Sequence, residues 1–402
     1  MKPTINLEKI NLFDAITLAA NSSAAKSAFH DAAAAKYGSK TATYAAYVPK
    51  FGLGGERIFR DKSLQLESPF GNLPFASRAF YQAGMELYQT LWSTDLMEFK
   101  VPAANLMAEA AAKKSIWERR SAQHNAAMAY LDCVTLIIQK ESLKERKKVL
   151  GQLSKELSSL SYNGKIKEAD SLKIKFSIGD IDRGITEIEF METACYRQLG
   201  RLVGKEEIQP DATQTAWTFP QKDSGAREDL ESFSLKIQAN KKEADGIMAE
   251  NYPEFYAKGN LLYNDQGNIQ PFSYSQVAIG VKWKILDGGT ILTRHKQKLE
   301  EILSLEEQYK DAIKGVSVGI TDAKAHLASA QKNYSQLKEE LAETDKVIQQ
   351  EMYRFLAGRT SSNSYLQVKE LWLSKQELLK MKKIEMLRWE ITLSFIEAKL
   401  GD

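Results

Sequence analysis

Few side chains in this chain are placed to do chemistry. The four histidines, His30, His124, His295 and His326, stand far apart. None pairs at i, i+4, and none has a Cys or Glu set at zinc spacing, so no metal site is expected. No phosphate loop, dinucleotide fingerprint or nucleophile elbow occurs. Gly288-Gly289 reads instead as a bend from strand to helix. No catalytic residue, no cofactor and no enzymatic activity are expected. The reaction the residue types allow is oxidation of Cys133 with Cys195, the only cysteines. Their midpoint is Gly164, so an antiparallel hairpin turning there sets them level. A bridge needs Cα atoms within about 6.8 Å, whereas most helix pairs approach to roughly 8–10 Å. The pair is either a disulfide of an oxidising compartment or two small buried hydrophobes.

The elements that would carry these residues are announced by proline. The nine prolines leave residues 103–209, and everything after 271, without one. Proline inside a helix costs about 3 kcal/mol or more, so both blocks are free to be helical throughout. Residues 103–160 predict a helix of roughly 85 Å and residues 290–355 one of roughly 100 Å, at about 1.5 Å per residue. Each block is broken once, at Ser161-Tyr162-Asn163-Gly164-Lys165 and at Leu356-Ala357-Gly358-Arg359-Thr360-Ser361-Ser362-Asn363. Glycine and asparagine permit the left-handed backbone that ends a helix. Asp170 and Ser364, each six residues beyond its tip glycine, are expected to cap the returning helices.

Strand patterns lie between the helices. Val277, Ile279, Val281, Trp283 and Ile285 alternate with polar or small residues; Tyr81, Ala83, Met85 and Leu87 do the same. Residues 49–58 and 253–263 offer weaker partner strands, giving one hairpin per half. The first hairpin's loop, about 59–76, is long and carries Pro69 and Pro74; the second spans about 264–272. The two halves thus repeat one plan. Trp92 and Leu286 close alternating segments, and Leu172 and Leu366 follow the two tips, at the same offset.

Composition narrows the function. The 55 basic and 52 acidic residues give a net charge of +3 and are intermixed along the helices. That argues against nucleic-acid binding, which needs a clustered basic face. No run of 18 apolar residues exists, so no transmembrane helix is expected, but a transmembrane strand needs only about 9–11 alternating residues. Alternation by itself reads as a soluble antiparallel sheet with one buried face. Here no second layer in the sequence covers that face, so lipid is the expected cover and the polar face borders water. About eight strands are the minimum for a membrane barrel, and open edges are not tolerated in hydrocarbon. Four strands per chain therefore demand an oligomer, and three copies supply twelve.

At this point the sequence resembles the TolC-like outer membrane efflux proteins. Leu12-Phe13-Asp14-Ala15-Ile16-Thr17-Leu18-Ala19, followed by Asn21-Ser22, resembles the family's opening helix. Arg227-Glu228-Asp229-Leu230 resembles its Arg-Pro-Asp-Leu signature, with Glu228 in place of proline. Ile285-Leu286-Asp287-Gly288-Gly289 resembles the junction Leu-Phe-Asp-Gly-Gly, and Tyr353 to Arg359 resembles the second tip. The motifs are short, but their order and duplication cover nearly the whole chain. The resemblance implies a mainly α fold with a small β part, in which long antiparallel helical hairpins form a tunnel. The four strands per chain then join a trimeric twelve-stranded barrel. Residues 1–48 would hold an equatorial segment and the first helix, 49–92 the first β-hairpin, and 93–203 the first helical hairpin with its tip at about 161–169. An equatorial linker (204–226) leads to a helix (227–252), the second β-hairpin (253–286), and the second helical hairpin with a C-terminal equatorial segment (287–402), its tip at about 355–363.

The implied function is a passive exit duct in a Gram-negative outer membrane, serving tripartite efflux or type I protein secretion. Its implied partners are two further copies, outer-membrane lipid, a periplasmic adaptor and an inner-membrane pump. If the chain is exported, its leader is absent from this sequence. By family position, adaptors would contact Asn163-Gly164-Lys165 and Ala357-Gly358-Arg359. Asp170, Phe355, Arg359, Ser364 and Gln367 match or adjoin gate positions. Phe355 stands where some members carry a gating tyrosine, so that hydrogen bond is expected to be missing. Ser364 and Gln367 stand where some carry pore aspartates, so a less acid-selective throat is expected. Glu86, Lys282 and Lys284 are expected to face the barrel lumen. The competing reading is a soluble coiled-coil scaffold, which long Ala/Lys/Glu-rich helices also suit.

Overall fold

The computed structural model describes residues 8–59, 61, 64–69, 71–76, 79–161, 168–206, 208–212, 219, 227–265 and 270–400. The long helices expected in the proline-free blocks are present. After α1 (Leu12–Ala19) and α2 (Ser23–Tyr47) come α3 (Val101–Ser161) and α4 (Glu168–Val203), then α5 (Glu228–Ala249), α6 (Thr290–Leu356) and α7 (Ser362–Ile396). A π-helical turn, Asp95–Lys100, leads into α3. The strands are β1 (Glu8–Ile10), β2 (Lys50–Phe59), β3 (Leu64–Ser68), β4 (Gly71–Ala76), β5 (Ala79–Trp92), β6 (Ile208–Pro210), β7 (Glu254–Asp265) and β8 (Phe272–Lys282). The contacts divide the chain into two units.

One unit comprises residues 1–29, 114–229 and 312–402. Its main core gathers Leu12 and Ile16 of α1, Tyr130, Leu131 and Val134 of α3, Leu199 of α4, and Ile384, Leu387 and Ile391 of α7. The parallel ribbon β1–β6 adds Ile10 and Ile208. Four helices stand in a row. Lys147 to Asp182 and Lys140 to Glu192 join α3 to α4. Arg146 to Glu377, at 2.9 Å, joins α3 to α7. Lys375 to Glu340, at 2.7 Å, joins α7 to α6. The order is therefore α4–α3–α7–α6. On α6 the residues Ala323, Ala330, Leu337, Thr344 and Glu351 are buried at every seventh position. That 3.5-residue period is the mark of left-handed coiled-coil packing.

Arg227 shows why its motif matters. Its guanidinium stacks on Trp117 at 4.3 Å, Trp117 on Phe395 and Phe395 on His124, while a fork of bonds holds Asp229. Burial lowers the pKa of His124, which favours the neutral ring in this stack. Glu228, in the place of the family's proline, pairs with buried Arg120 at 2.6 Å.

The other unit comprises residues 30–113 and 230–311. It holds one antiparallel sheet of order β2-β5-β7-β8. Two sequence expectations need correction. The long first loop is partly a hairpin of its own, β3–β4. The last strand ends at Lys282 rather than Ile285, because its partner Glu254 is the first residue of β7 and no neighbour remains.

Candidate functional site: the open sheet and the helical tips

The strand register sorts the sheet's side chains onto two faces. Gly52, Glu86, Asn260 and Gln276 lie opposite one another across all four strands. From this row Glu86 reaches Lys258 in the next row, an ion pair at 3.1 Å. Glu254 and Lys282 face each other on the same side. A shallow concavity of about 730 Å³ spans this polar face, lined by Lys50, Glu56, Gln82, Glu86, Lys258 and Asn260 among others. Glu86 and Lys282 therefore stand together on the polar face. Lys284 falls beyond the strand, so the alternation that assigned it a face does not reach it.

The opposite face carries Phe51, Leu53, Tyr81, Met85, Leu87, Phe255, Leu261, Tyr263, Val277, Ile279 and Val281. All are exposed, Leu53 at 70%, Val277 at 83% and Ile279 at 78%. Aromatic residues gather at its two ends. Trp92 and Phe255 face each other at the helix-proximal end. Tyr81, Tyr263 and Phe59 lie toward the far end, where Arg57 stacks on Tyr81 and Phe59. Phe255 and Tyr263 are about 27 Å apart along the strand at roughly 3.4 Å per residue. A tilt of about 40° brings that to about 20 Å, near the roughly 25 Å apolar band of membrane barrels. Both edge strands, β2 and β8, present unpaired backbone.

The junctions between sheet and helices are fixed by charge. Asp287 accepts from the backbone N–H groups of Gly289 and Ile291, capping α6, and these bonds hold its carboxyl below the usual range. Gly288 and Gly289 have φ of 68° and 83°, a bend that favours glycine. Glu250 pairs with Arg294 of α6 and with Lys100 of the π-turn. Arg294 first, and Lys100 after it, keep its carboxyl ionised below its ordinary pKa.

Asn163, Gly164 and Lys165 of the first tip lie outside the described residues. Beyond them α4 begins at Glu168, which puts Asp170 in the first helical turn rather than at the cap. The second tip is fully traced in backbone. Gly358 has φ 67°, its N–H donates to the carbonyl of Phe355 and that of Arg359 to the carbonyl of Arg354, closing α6 in a left-handed turn. Ala357, Gly358, Arg359 and Gln367 are exposed. Ser361, not Ser364, caps α7, its hydroxyl accepting from the Ser364 N–H at 3.2 Å. Phe355 stacks on Tyr365 at 5.1 Å and packs with Leu366 against Leu150 and Ile174, tying the two hairpins near their tips. The hydroxyl that a tyrosine would bring here is replaced by apolar packing.

Sequence reasoning missed Glu351. Its Oε1 accepts from Thr360 at 2.7 Å and from Ser364 at 3.0 Å, fastening the end of α6 to both sides of the turn. A carboxylate therefore stands beside the neutral Ser364. The two hydroxyls, Thr360 first, hold the Glu351 carboxyl below its ordinary pKa. Because the folded value is depressed, its stabilisation is present above the unfolded value of about 4.3 and is lost as pH falls below it. Glu351→Ala should therefore speed hydrogen exchange of the tip amides around Arg359 at pH 7 and make little difference at pH 3. An equal effect at both pH values would contradict the carboxylate's role. A signal was present in the sequence: Glu351 occupies the buried seven-residue seam of α6, where a charge is out of place.

The sequence matches no protein-family model and no curated protein. Solved structures do match. The Campylobacter jejuni CmeC outer membrane channel superposes with a TM-score of 0.80 over 98% of this chain and 87% of its own, at 14% identity. The chain has the TolC-like channel fold. The outer membrane protein VceC of Vibrio cholerae matches over 96% of both chains at 15% identity and TM-score 0.80. The open state of the Neisseria gonorrhoeae MtrE outer membrane channel matches over 98% of this chain and 93% of its own, at 12% identity and TM-score 0.76. The TolC-like fold therefore extends to both units and both helical hairpins.

Proposed function

We propose that the chain is one subunit of an outer-membrane duct that conducts cargo passively out of a Gram-negative cell. The carrying observation is an exposed apolar sheet face on strands whose two edges are open. Water would leave that face uncovered, and hydrocarbon alone would leave both edges without hydrogen-bond partners. Hydrocarbon and neighbouring copies satisfy all three. Because the four strands alternate in direction, β8 of one copy meets β2 of the next antiparallel, and the ring continues without a break. Two copies would give eight strands, whose interior side chains fill the barrel. Three is the smallest ring that leaves a lumen, and it agrees with the family resemblance. The polar face, with Glu86 and Lys282, then borders water.

CmeC and MtrE are outer membrane channels, and the shared fold supports the same role here. A periplasmic adaptor docking at the tips and an inner-membrane pump supplying energy complete the proposal. The soluble-scaffold reading is not favoured, because a scaffold has no use for a sheet face of this kind. Extraction should require detergent, the extracted protein should have the mass of a trimer, and it should conduct ions in planar bilayers. A water-soluble monomer without conductance would overturn the reading.

Gly358 offers a test of the docking site. Its left-handed backbone costs a residue with a side chain roughly 1–2 kcal/mol. Gly358→Val should strain the turn and impair adaptor docking while leaving trimer assembly intact, as read by adaptor pull-down. Normal docking and export in that variant would remove the second tip from the docking site.

A further inference from the structure

Two edge helices of the α4–α3–α7–α6 row carry a free seam as well as a packed one. On α4 the packed seam runs Ile174, Ile178, Ile181, Ile185, Ile188, Glu192 in steps of four and three. Directly behind it stand Phe176, Arg183 and Phe190, seven residues apart; Arg183 also pairs with Asp180 of its own helix, an exposed pair that contributes little and can be exchanged. Phe176 is 71% and Phe190 80% exposed. A pair of unpartnered phenylalanines in heptad spacing fits a helix as its partner, since that period keeps one face on a neighbouring helix. On α6, behind the buried ladder from Ala323 to Glu351, stand Lys332, Glu339 and Lys346, also seven apart and all exposed. Small residues, Ala328, Ser335 and Ala342, flank them.

The internal ion pairs set the level of each row. Asp182 pairs with Lys147. Its neighbour Arg146 pairs with Glu377, and Lys375, beside Glu377, pairs with Glu340. Asp182 and Glu340 therefore lie at one height, and so do Arg183 and Glu339. The helices are antiparallel, so Phe176 falls level with Lys346 and Phe190 level with Lys332. Each match is favourable: a guanidinium faces a carboxylate, and each phenyl ring faces an ammonium with small residues beside it to receive the ring. None of Lys332, Glu339 and Lys346 makes an ion pair within the chain among the described residues.

The geometry points to a specific joint between copies: the Phe176–Arg183–Phe190 row of α4 docks on the Lys346–Glu339–Lys332 row of α6 in a second copy. It rests on the ring assembly proposed above and adds the register at which the helical shafts lock. The contact is head-to-tail, so it closes a ring rather than a dimer.

Cysteine pairs test it in the full-length protein extracted from membranes. No free cysteine is present, so added thiols have no native competitor. Under mild oxidation, Arg183→Cys with Glu339→Cys should give covalently closed trimers. Arg183→Cys with Lys332→Cys, displaced by roughly 10 Å along the helix, should give about a tenth of that yield or less. Arg183→Glu should lower recovery of the detergent-extracted trimer severalfold, and adding Glu339→Arg should restore it. Intact trimers that cross-link only out of register, or not at all, would overturn the inference, even if an added adaptor then shielded the α4 face. Monomers by native mass would overturn the ring assembly itself, and this joint with it.

Discussion

Val277→Arg should abolish membrane insertion, whereas Gln276→Arg, one residue away, should leave it intact. Val277 lies in the row of Phe51, Leu87 and Gly259, midway between the two aromatic ends of the apolar face, and is 83% exposed in the single chain. A cation at the midplane of a membrane barrel's lipid face costs about 2–4 kcal/mol. Three copies multiply that to roughly 6–12 kcal/mol per ring, the size of an entire folding free energy of about 5–15 kcal/mol. Gln276 shares the polar row of Glu86 and Asn260. An arginine there meets water, and its expected effect is a change in ion selectivity. The measurement is the yield of detergent-extracted oligomer from the membrane fraction, followed by reversal potentials in bilayers. Normal insertion of Val277→Arg together with failure of Gln276→Arg would invert the two faces.

Much of this fold was legible because its signals are long and local. Proline positions marked α3 and α4 to within a few residues and left room for α6 and α7, whose start followed from the strand pattern before them. Period-two alternation marked β5 and β8. What escaped the sequence was decided by contacts between segments. The end of β8 depends on where β7 begins, and alternation through Trp283 and Ile285 says nothing about that. Ser364 was read as the cap of α7 from its distance to Gly358, but Ser361 caps it, because the turn ends α6 at the Arg359 N–H and α7 starts sooner. Asp170 was read as a cap from its distance to Gly164, but the helix starts earlier, at Glu168. Glu351 went unremarked because its partners, Thr360 and Ser364, lie across the turn. Typical helix spacing argued against joining Cys133 to Cys195. Yet their Cα atoms are 5.7 Å apart, and the two are bridged. At the bridge, Cys195 lies against the backbone carbonyl of Ala129, whose side chain is a single methyl.

That bridge carries the second large expectation. Replacing Cys133 and Cys195 together by alanine should lower unfolding stability by about 4 kcal/mol, from the loop-closure entropy of a segment of this length. The sequence separation it spans is 62 residues. The native core should tolerate the change. Cys133 is fully buried among Tyr130, Leu131, Val134 and Leu199, all of which remain, and alanine removes only one heavy atom from each site. Reduction of the unaltered protein should give nearly the same loss, because two small thiols fit where the disulfide stood. The bridge fastens α3 to α4 within the unit's main core, while the ion pairs of Lys147 with Asp182 and of Arg146 with Glu377 lie nearer the tips. Removing it should therefore raise hydrogen exchange in the core turns around residues 130 and 195 more than at the second tip. Denaturant midpoints of the wild type, the reduced wild type and the double-alanine variant would measure this. Equal stability of all three, or two titratable thiols in the denatured, unreduced protein, would show that the covalent tie contributes nothing.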